Sequence, residues 1–169
     1  MSNFICTTCG TQYPESDAPP HDCLICNDER QYVGWSGQTW TTLEQLRRTH
    51  RNRVEPEGAG LTGIGTEPRF AIGQRALYLP GPEGGVLWDC ISLVDDATVK
   101  KLKSLGGVRA IAISHPHYYS SMVEWSRALG GVPVYLHADD SQWVVRPDRA
   151  LHFWDGDTRE IGPGVTLIR

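Results

Sequence analysis

Two C-x-x-C motifs near the start of the chain constrain its fold more than any other feature. The first, "CTTCG", contains Cys6 and Cys9, and the second, "CLICN", contains Cys23 and Cys26. Each motif forms a knuckle that presents two thiolates to one ion, and four thiolates complete a tetrahedron around Zn²⁺, although iron also accepts such a set. Because residues 1–33 have no periodic apolar face, we expect the metal to supply their folding energy.

Composition narrows the function classes. Four of the five cysteines lie in the two motifs, which favours a bound metal in a reducing, cytoplasmic compartment over disulfides. No apolar run approaches the roughly 20 residues that cross a bilayer, and no leader opens the chain, so we expect no membrane partner. The net charge is −4 and residues 1–33 contain only Arg30 as a Lys or Arg, so we expect no nucleic-acid partner.

The rest of the chain divides into a connecting region and an α/β domain. "WTTLEQLRRTH" predicts a short helix over about 42–50, with Thr41 and Glu44 as a capping box, and 53–68 contains four glycines and two prolines, which is typical of a linker. From residue 69 strands and helices alternate, which predicts a layered α/β sheet. The expected units are therefore a four-cysteine ribbon (1–33), a short helix and linker (34–68) and an α/β domain (69–169).

Within the α/β domain, we predict strands over 69–79, 86–94, 108–114 and 132–137, and two more in 150–169 around a "DGD" turn. Helices are predicted from Asp95 or Asp96 to Gly106 and from Ser120 or Ser121 to Gly130, the second with Ser121 and Glu124 as its capping box.

A histidine pair follows the third of these strands, in "ISHPHYYSS". Residues two apart on a strand point to the same face, so His115 and His117 can aim both imidazoles at one divalent ion where the strand ends. Strand ends are also where open α/β sheets place their sites. The alternative is that the two rings only form hydrogen bonds at the strand terminus.

The order of these segments resembles a known fold. "VLWDCISLVDD", "VRAIAISHPHYYSSMVEWSRALGGVPVYLHADD" and "WDGDTREIGPGVTLIR" together resemble the first half of the metallo-β-lactamase fold, in which an H-x-H-x-D-H motif follows a strand. The N-terminal segment, with a glycine after its first cysteine pair and two cysteine knuckles, resembles rubredoxin-like ribbons. The first resemblance implies half of an αββα sandwich, a metal site at the sheet edge, and hydrolysis of a small-molecule ester, thioester or similar bond by metal-bound water.

The motif is incomplete in this chain. His115 and His117 match its first two histidines, but Tyr119 and Ser120 stand where the family has Asp and His, and neither is a good ligand for a divalent ion. A catalytic zinc normally has three protein ligands. Candidates for the third within this chain are Asp89 and, at the end of the following strand, His137 or Asp139; the alternative is that each is only a hydrogen-bonded polar residue near a strand terminus. Tyr119 or Tyr118 is the candidate to donate a hydrogen bond to a developing oxyanion, and the alternative is packing at the sheet edge.

Two functional hypotheses remain open at this stage. In the family, further ligands lie beyond the strand that resembles "GVTLIR", so we expect this sequence to be part of a longer hydrolase, inactive on its own, or else to cover its apolar sheet face with a second copy. The other hypothesis is a catalytically degenerate module that binds or regulates and is held together by its four-cysteine zinc.

Overall fold

The N-terminal segment is a small three-stranded sheet in the computed structural model, which describes residues 1–27 and 33–169. Strand β1 (Ser2–Cys6) lies between β2 (Gln12–Ser16) and β3 (Trp40–Thr42), and both pairings are antiparallel. Cys6 ends β1 and Cys9 lies in the connection from β1 to β2, and the second pair lies in the turn region after β2. Arg30, the single Lys or Arg of residues 1–33, lies outside the described residues.

Helix α1 (Leu43–Thr49) begins directly after β3, as predicted. Its capping box lies one residue later than expected, because Thr42 has the extended backbone of an N-cap. The Thr42 hydroxyl accepts from the Gln45 N–H at 3.3 Å, and the Gln45 side chain accepts from the Thr42 N–H at 3.1 Å. The prediction of a Thr41 and Glu44 pair is therefore wrong.

The predicted linker over 53–68 is also wrong, because these residues form a β-hairpin. Strands β4 (Arg51–Gly58) and β5 (Leu61–Glu67) pair in antiparallel register, and Gly58 and Gly60 have the positive φ angles of 84° and 77° that their turn requires. Pro56 is tolerated because β4 is the edge strand of the main sheet. The main sheet thus begins at residue 51 rather than at residue 69.

The main sheet has seven strands in the order β10-β9-β8-β7-β6-β5-β4. Strands β4 to β7 are antiparallel and β7 to β10 are parallel. The remaining strands are shorter than predicted: β6 (Arg75–Leu79), β7 (Gly85–Trp88), β8 (Val108–Ala112), β9 (Val134–His137) and β10 (Leu151–Trp154). Strand β7 ends where Asp89 adopts a left-handed backbone with φ of 65°, so the expected strand over 86–94 is interrupted early.

Helices α2 (Asp96–Ser104) and α3 (Met122–Ala128) follow β7 and β8, as predicted. Asp95 caps α2 by accepting from the Thr98 N–H at 2.7 Å. The predicted capping box at α3 is wrong, because the Ser121 hydroxyl donates to the Ser92 carbonyl at 2.8 Å instead. Both helices pack on one face of the sheet through a core that includes Leu87, Leu102, Ile111, Trp125 and Leu136.

The opposite face of the sheet is partly covered by a second layer. Residues 150–169 contain three strands rather than two, because β11 (Thr158–Gly162) and β12 (Val165–Ile168) form a separate hairpin after β10. This hairpin buries Ile161 and Leu167 against Val86, Ala112 and Trp154. The layers are therefore helices, main sheet and hairpin, and part of the apolar face that we expected to be exposed is covered.

The helices of the described residues are all too short or too polar to span a membrane.

Candidate metal centres

The four cysteines of the N-terminal segment form one buried cluster, and their Sγ atoms all lie within 4.8 Å of one another. Two of the separations, Cys6 to Cys26 and Cys9 to Cys23, are 3.6 Å. A tetrahedral zinc site with Zn–S bonds of about 2.3 Å has S–S edges of about 3.8 Å. The geometry therefore fits a four-thiolate metal site, as the C-x-x-C spacing predicted.

Hydrogen bonds stabilise negative charge within this cluster. The Cys6 sulfur accepts from the Cys9 N–H at 3.4 Å and from the Gln38 amide at 3.1 Å. Hydrogen bonds from the neighbouring thiols, first from Cys23, lower the pKa of Cys6. The hydrogen bonds that Cys9 makes with its own neighbours, again first with Cys23, raise the pKa of Cys9. The thiols cannot all ionise without a cation, so metal binding and proton release are linked at this site.

The histidine pair is brought together by a turn rather than by a strand. Strand β8 ends at Ala112, His115 is extended, and His117 lies in the 3₁₀ turn Pro116–Tyr118. The His117 N–H donates to His115 Nδ1 at 3.2 Å, and the Tyr118 N–H donates to the His115 carbonyl at 2.8 Å. The argument from strand alternation is therefore wrong, although the two side chains do meet.

The two imidazole rings stack with centroids 4.8 Å apart and an interplanar angle of 14°. Their Nδ1 atoms are 3.0 Å apart, and the His115 side chain is exposed whereas His117 is half-buried. Two nitrogen ligands of a tetrahedral zinc, each at about 2.0–2.1 Å, are separated by about 3.3 Å. The Nδ1 separation of the pair is close to that of two ligand positions of one ion, but the nearly parallel rings would have to turn for both Nδ1 lone pairs to face it. A hydrogen bond between the rings also explains the distance when one Nδ1 is protonated.

A third ligand does not join the histidines. Across residues 1–27 and 33–169, the only group of three or more His, Cys, Asp or Glu side chains with clustered ligand atoms is the cysteine cluster. Asp89 and His137, the predicted candidates, are therefore not assembled with His115 and His117 into a metal site. The histidine pair offers two potential ligands, one fewer than a catalytic zinc normally has.

Asp89 organises the approach to the histidines instead. It is 6 % exposed at the end of β7, and its N–H donates to the Ala112 carbonyl at the end of β8 at 2.8 Å. Its carboxylate accepts from the Ser114 N–H at 2.8 Å and from the Ser114 hydroxyl at 2.9 Å. Burial raises the pKa of Asp89, and the hydrogen bonds from Ser114 and the nearby His115 act against that shift.

His137 lies at the end of β9, in the wall of a neighbouring cleft of about 320 Å³. Its Nδ1 accepts from the Asp139 N–H at 3.3 Å, its Nε2 lies 3.2 Å from the Gly156 carbonyl, and its ring packs edge-on against Trp154. Both ring nitrogens are therefore engaged within the protein. The cleft also contains Trp88, Ile113, Ser114 and Trp154, so it reaches the residue that precedes His115.

The structure argues against the catalytic role predicted for Tyr119. Its side chain is 2 % exposed in the core, and its hydroxyl donates to the Asp140 carbonyl at 3.2 Å. Burial raises the pKa of this phenol, so it stays protonated and its one proton is already used. Ser120, at the position of the last histidine of the motif, is also buried, and its carbonyl accepts from the Gln12 N–H at 3.0 Å.

Sequence reasoning missed two polar residues next to the histidines, Ser114 and Gln74. Ser114 carries a weak signal, because it is a hydroxyl residue at the end of a strand. Gln74 carries none, because the carbonyl groups that its amide contacts belong to Cys9 and His117, which are 65 and 43 residues away along the chain.

Comparison with known proteins identifies one relative and a shared fold. No family model matches the chain. The chain is 48% identical over 171 residues to the uncharacterized protein YmaE of Bacillus subtilis (strain 168), and the match covers 100% of this chain. It spans 62% of the length of that relative.

Solved structures with low sequence identity resemble this one. VMB-1 superimposes with a TM-score of 0.56 and 12% identity, over 69% of this chain and 57% of that chain. The DIM-1 metallo-β-lactamase superimposes with a TM-score of 0.51 and 10% identity, over 66% of this chain and 55% of that chain. The chain therefore has a metallo-β-lactamase fold, with a four-cysteine cluster near its N-terminus that could hold a metal.

Proposed function

We propose that this chain is part of a metal-dependent hydrolase in which His115 and His117 hold a divalent ion at the edge of the main sheet. The observation that supports this most is the close approach of the two Nδ1 atoms, 3.0 Å apart just beyond the carboxyl end of β8, in a metallo-β-lactamase fold. The remaining ligands are expected among the residues of the longer relative that this chain does not match. Alone, the chain is expected to be inactive.

The residues of this chain would orient the metal ligands, whereas the complete set of ligands requires residues outside this chain. When bound, a divalent ion supplies Lewis acidity and lowers the pKa of a coordinated water. The Asp89 carboxylate, fixed by two hydrogen bonds from Ser114, holds the backbone that leads into His115. This second contact layer orients a ligand without itself contacting the ion, which is a common arrangement around metal-binding histidines.

The cleft beside the histidines favours a small-molecule substrate with an apolar part. Its volume is about 320 Å³, and its walls include the Trp88 and Trp154 rings. An ester or thioester bond placed near Ser114 would lie next to the histidine pair while the apolar part contacts the two indole rings.

The proposal includes zinc at the four-cysteine site and a cytoplasmic location. A closed shell of four buried thiolates suits a structural zinc, and it leaves no open coordination position for chemistry. All five cysteines are free of disulfides, which agrees with a reducing compartment. A second copy of the chain is the alternative cover for the apolar face that stays exposed around Leu79 and Trp88, each 36% exposed.

The second candidate function is a degenerate module that binds or regulates without catalysis. It is favoured by Tyr119 and Ser120, which replace two motif ligands with buried, hydrogen-bonded side chains. The two candidates differ in one outcome. Only the hydrolase requires turnover that depends on the histidine pair.

A substrate panel separates the two functions. Full-length protein is assayed with thioesters, lactones and phosphodiesters, with and without added Zn²⁺, alongside His117→Ala and the control His152→Ala, which changes an exposed histidine on β10. We expect metal-dependent turnover that falls by roughly 100-fold or more in His117→Ala, because loss of a ligand removes the activated water. Turnover that is absent for every substrate would favour the degenerate module, and turnover that is equal in the two variants would reject a catalytic metal at the histidine pair.

A further inference from the structure

One buried side chain connects the two candidate metal centres. Gln74, which directly precedes β6, is 6 % exposed, and its Nε2 donates to the Cys9 carbonyl at 3.0 Å and to the His117 carbonyl at 3.0 Å. Cys9 belongs to the four-cysteine cluster, and His117 to the histidine pair. A single amide group therefore separates the backbone of one candidate ligand from the backbone of the other.

The other end of the Gln74 amide fixes its orientation. Its Oε1 accepts from the Ser92 N–H at 3.0 Å and lies 2.7 Å from the Ser92 hydroxyl, which itself is 2.8 Å from the Gly10 carbonyl. Both donor hydrogens and the acceptor oxygen of the amide are thus used. A flipped amide would place its oxygen against two carbonyl oxygens, so this side chain has one stable arrangement.

The backbone of the first cysteine knuckle packs so closely against Gln74 and Ser92 that there is no space for a side chain at Gly10. Gly10 has φ of +85°, and a Cβ there would lie 2.3 Å from the Ser92 hydroxyl oxygen and 2.8 Å from the Gln74 amide. The glycine that follows the first cysteine pair therefore serves the contact with the main sheet. A second connection joins the Gln12 N–H to the Ser120 carbonyl, at the other end of the histidine turn.

We propose that Gln74 is a positioning residue that transmits the order of the four-cysteine site to the histidine pair. A metal on the cysteines orders the first knuckle, the Cys9 and Gly10 carbonyls hold Gln74 and Ser92, and Gln74 holds the His117 carbonyl. The role of His117 as a ligand rests on the proposed function, whereas the ordering of its turn does not. Loss of metal from the cysteines would then loosen the histidine pair without any direct contact between the two sites.

Two physical arguments support this coupling. The turn Pro116–Tyr118 is only three residues of 3₁₀ helix, which is too short to be stable without tertiary contacts. Removing the Gln74 donors would also leave two carbonyl groups in a buried interface without these partners, and the chain relieves such a cost by moving. The histidine turn has fewer regular backbone hydrogen bonds to lose than strand β6, so it is the part expected to move.

Amide hydrogen exchange of the full-length protein, with zinc bound at the cysteines, tests this coupling. Gln74→Met removes both donated hydrogen bonds and keeps the length of the side chain. The matched control is Gln12→Met, which removes another buried glutamine at the same interface, one whose Oε1 accepts from Arg146. We expect exchange at the Tyr118 and Tyr119 amides to rise roughly tenfold or more in Gln74→Met and less than about threefold in Gln12→Met.

A spectroscopic signature complements the exchange rates. The Cε1–H resonances of His115 and His117 should shift in Gln74→Met and stay in place in Gln12→Met, because only the first variant frees the stacked rings. Equal exchange in the two variants, or unshifted ring resonances in Gln74→Met, would overturn the coupling. If Gln74→Met does not fold, Ser92→Ala removes one support of the same amide, and a selective but smaller increase at the same amides is expected.

The same samples distinguish failure of this inference from failure of the proposed function. Calorimetric titration with Zn²⁺, after the cysteine site is filled, reports whether the histidine pair binds a metal. A histidine turn that loosens selectively in Gln74→Met, in a protein that binds no second zinc, would reject the proposed function and keep the coupling. A second zinc that binds equally well to wild type and Gln74→Met, with unchanged exchange, would keep the function and reject the coupling.

Discussion

The four-cysteine site and the histidine pair are two metal-site candidates in one chain, and they differ in almost every physical respect. The cysteines are buried and offer four ligand atoms within 4.8 Å of one another, whereas the histidines, one exposed and one half-buried, offer two. The first is assembled by two short knuckles, each local in sequence. The second lies on a local turn whose surroundings, Asp89 after β7, Ser114 after β8 and Gln74 before β6, come together only when the sheet has formed.

This difference separates the tasks of the two sites. A closed shell can stabilise a fold but offers no position for a substrate, whereas an open pair can accept a substrate but contributes little to stability. Breaking the first site should therefore unfold part of the molecule, and breaking the second should remove one ion from a folded protein.

The largest effect is expected at the cysteines. Cys9→Ser, or removal of the metal by a chelator, should disorder residues 1–27 and lower the free energy of unfolding by several kcal/mol, because structural zinc in finger peptides binds with about 10–16 kcal/mol of apparent free energy. Urea unfolding followed by circular dichroism measures this. Cys90→Ala is the control, since Cys90 is a fully buried cysteine outside the cluster. A urea midpoint that is the same with and without the chelator would contradict a structural metal.

A smaller effect is expected at Asp89. Because burial raises the pKa of this carboxyl above its ordinary 3.8, the folded protein keeps the proton to a higher pH than the unfolded chain does. The contribution of Asp89 to stability is therefore largest below pH of about 3.8 and declines as the pH rises through the raised pKa. Asp89→Asn does not titrate, so its stability deficit, about 1 kcal/mol, should be larger at pH 4 than at pH 7.

Thermal unfolding across this pH range checks the sign. Asp96→Asn, which removes an exposed carboxylate from the first turn of α2, controls for the loss of one negative charge. A deficit in Asp89→Asn that grows with pH would mean that the Ser114 hydrogen bonds, rather than burial, dominate the pKa of Asp89.

The sequence was sufficient where the determining contacts are local. The C-x-x-C spacing predicted the cysteine cluster, and the apolar runs predicted β8, β9, α2 and α3. The glycines and prolines of 53–68 were misleading, because Gly63 and Gly65 lie within β5 and pair with Leu77 and Arg75 of β6. That pairing is visible only when both strands are considered together.

The candidate site was harder to predict for the same reason. The meeting of His115 and His117 was expected, but the cause is the Pro116 turn rather than strand alternation. The chemistry assigned to Tyr119 failed because a phenol beside a motif can equally point into the core, as this one does. The role of Gln74 could not be predicted from the sequence, because it depends on two carbonyl groups on segments distant along the chain.

Metal content per chain is the most direct test of a metal site at His115 and His117. Full-length protein, freed of loosely bound ions, is analysed by mass spectrometry for zinc and other divalent metals, beside a variant that combines His115→Ala with His117→Ala. We predict more than one ion per chain in the wild type. The double variant should lose one ion and keep the metal bound by its cysteines. Retention of every ion in the double variant would contradict a metal site at the histidine pair.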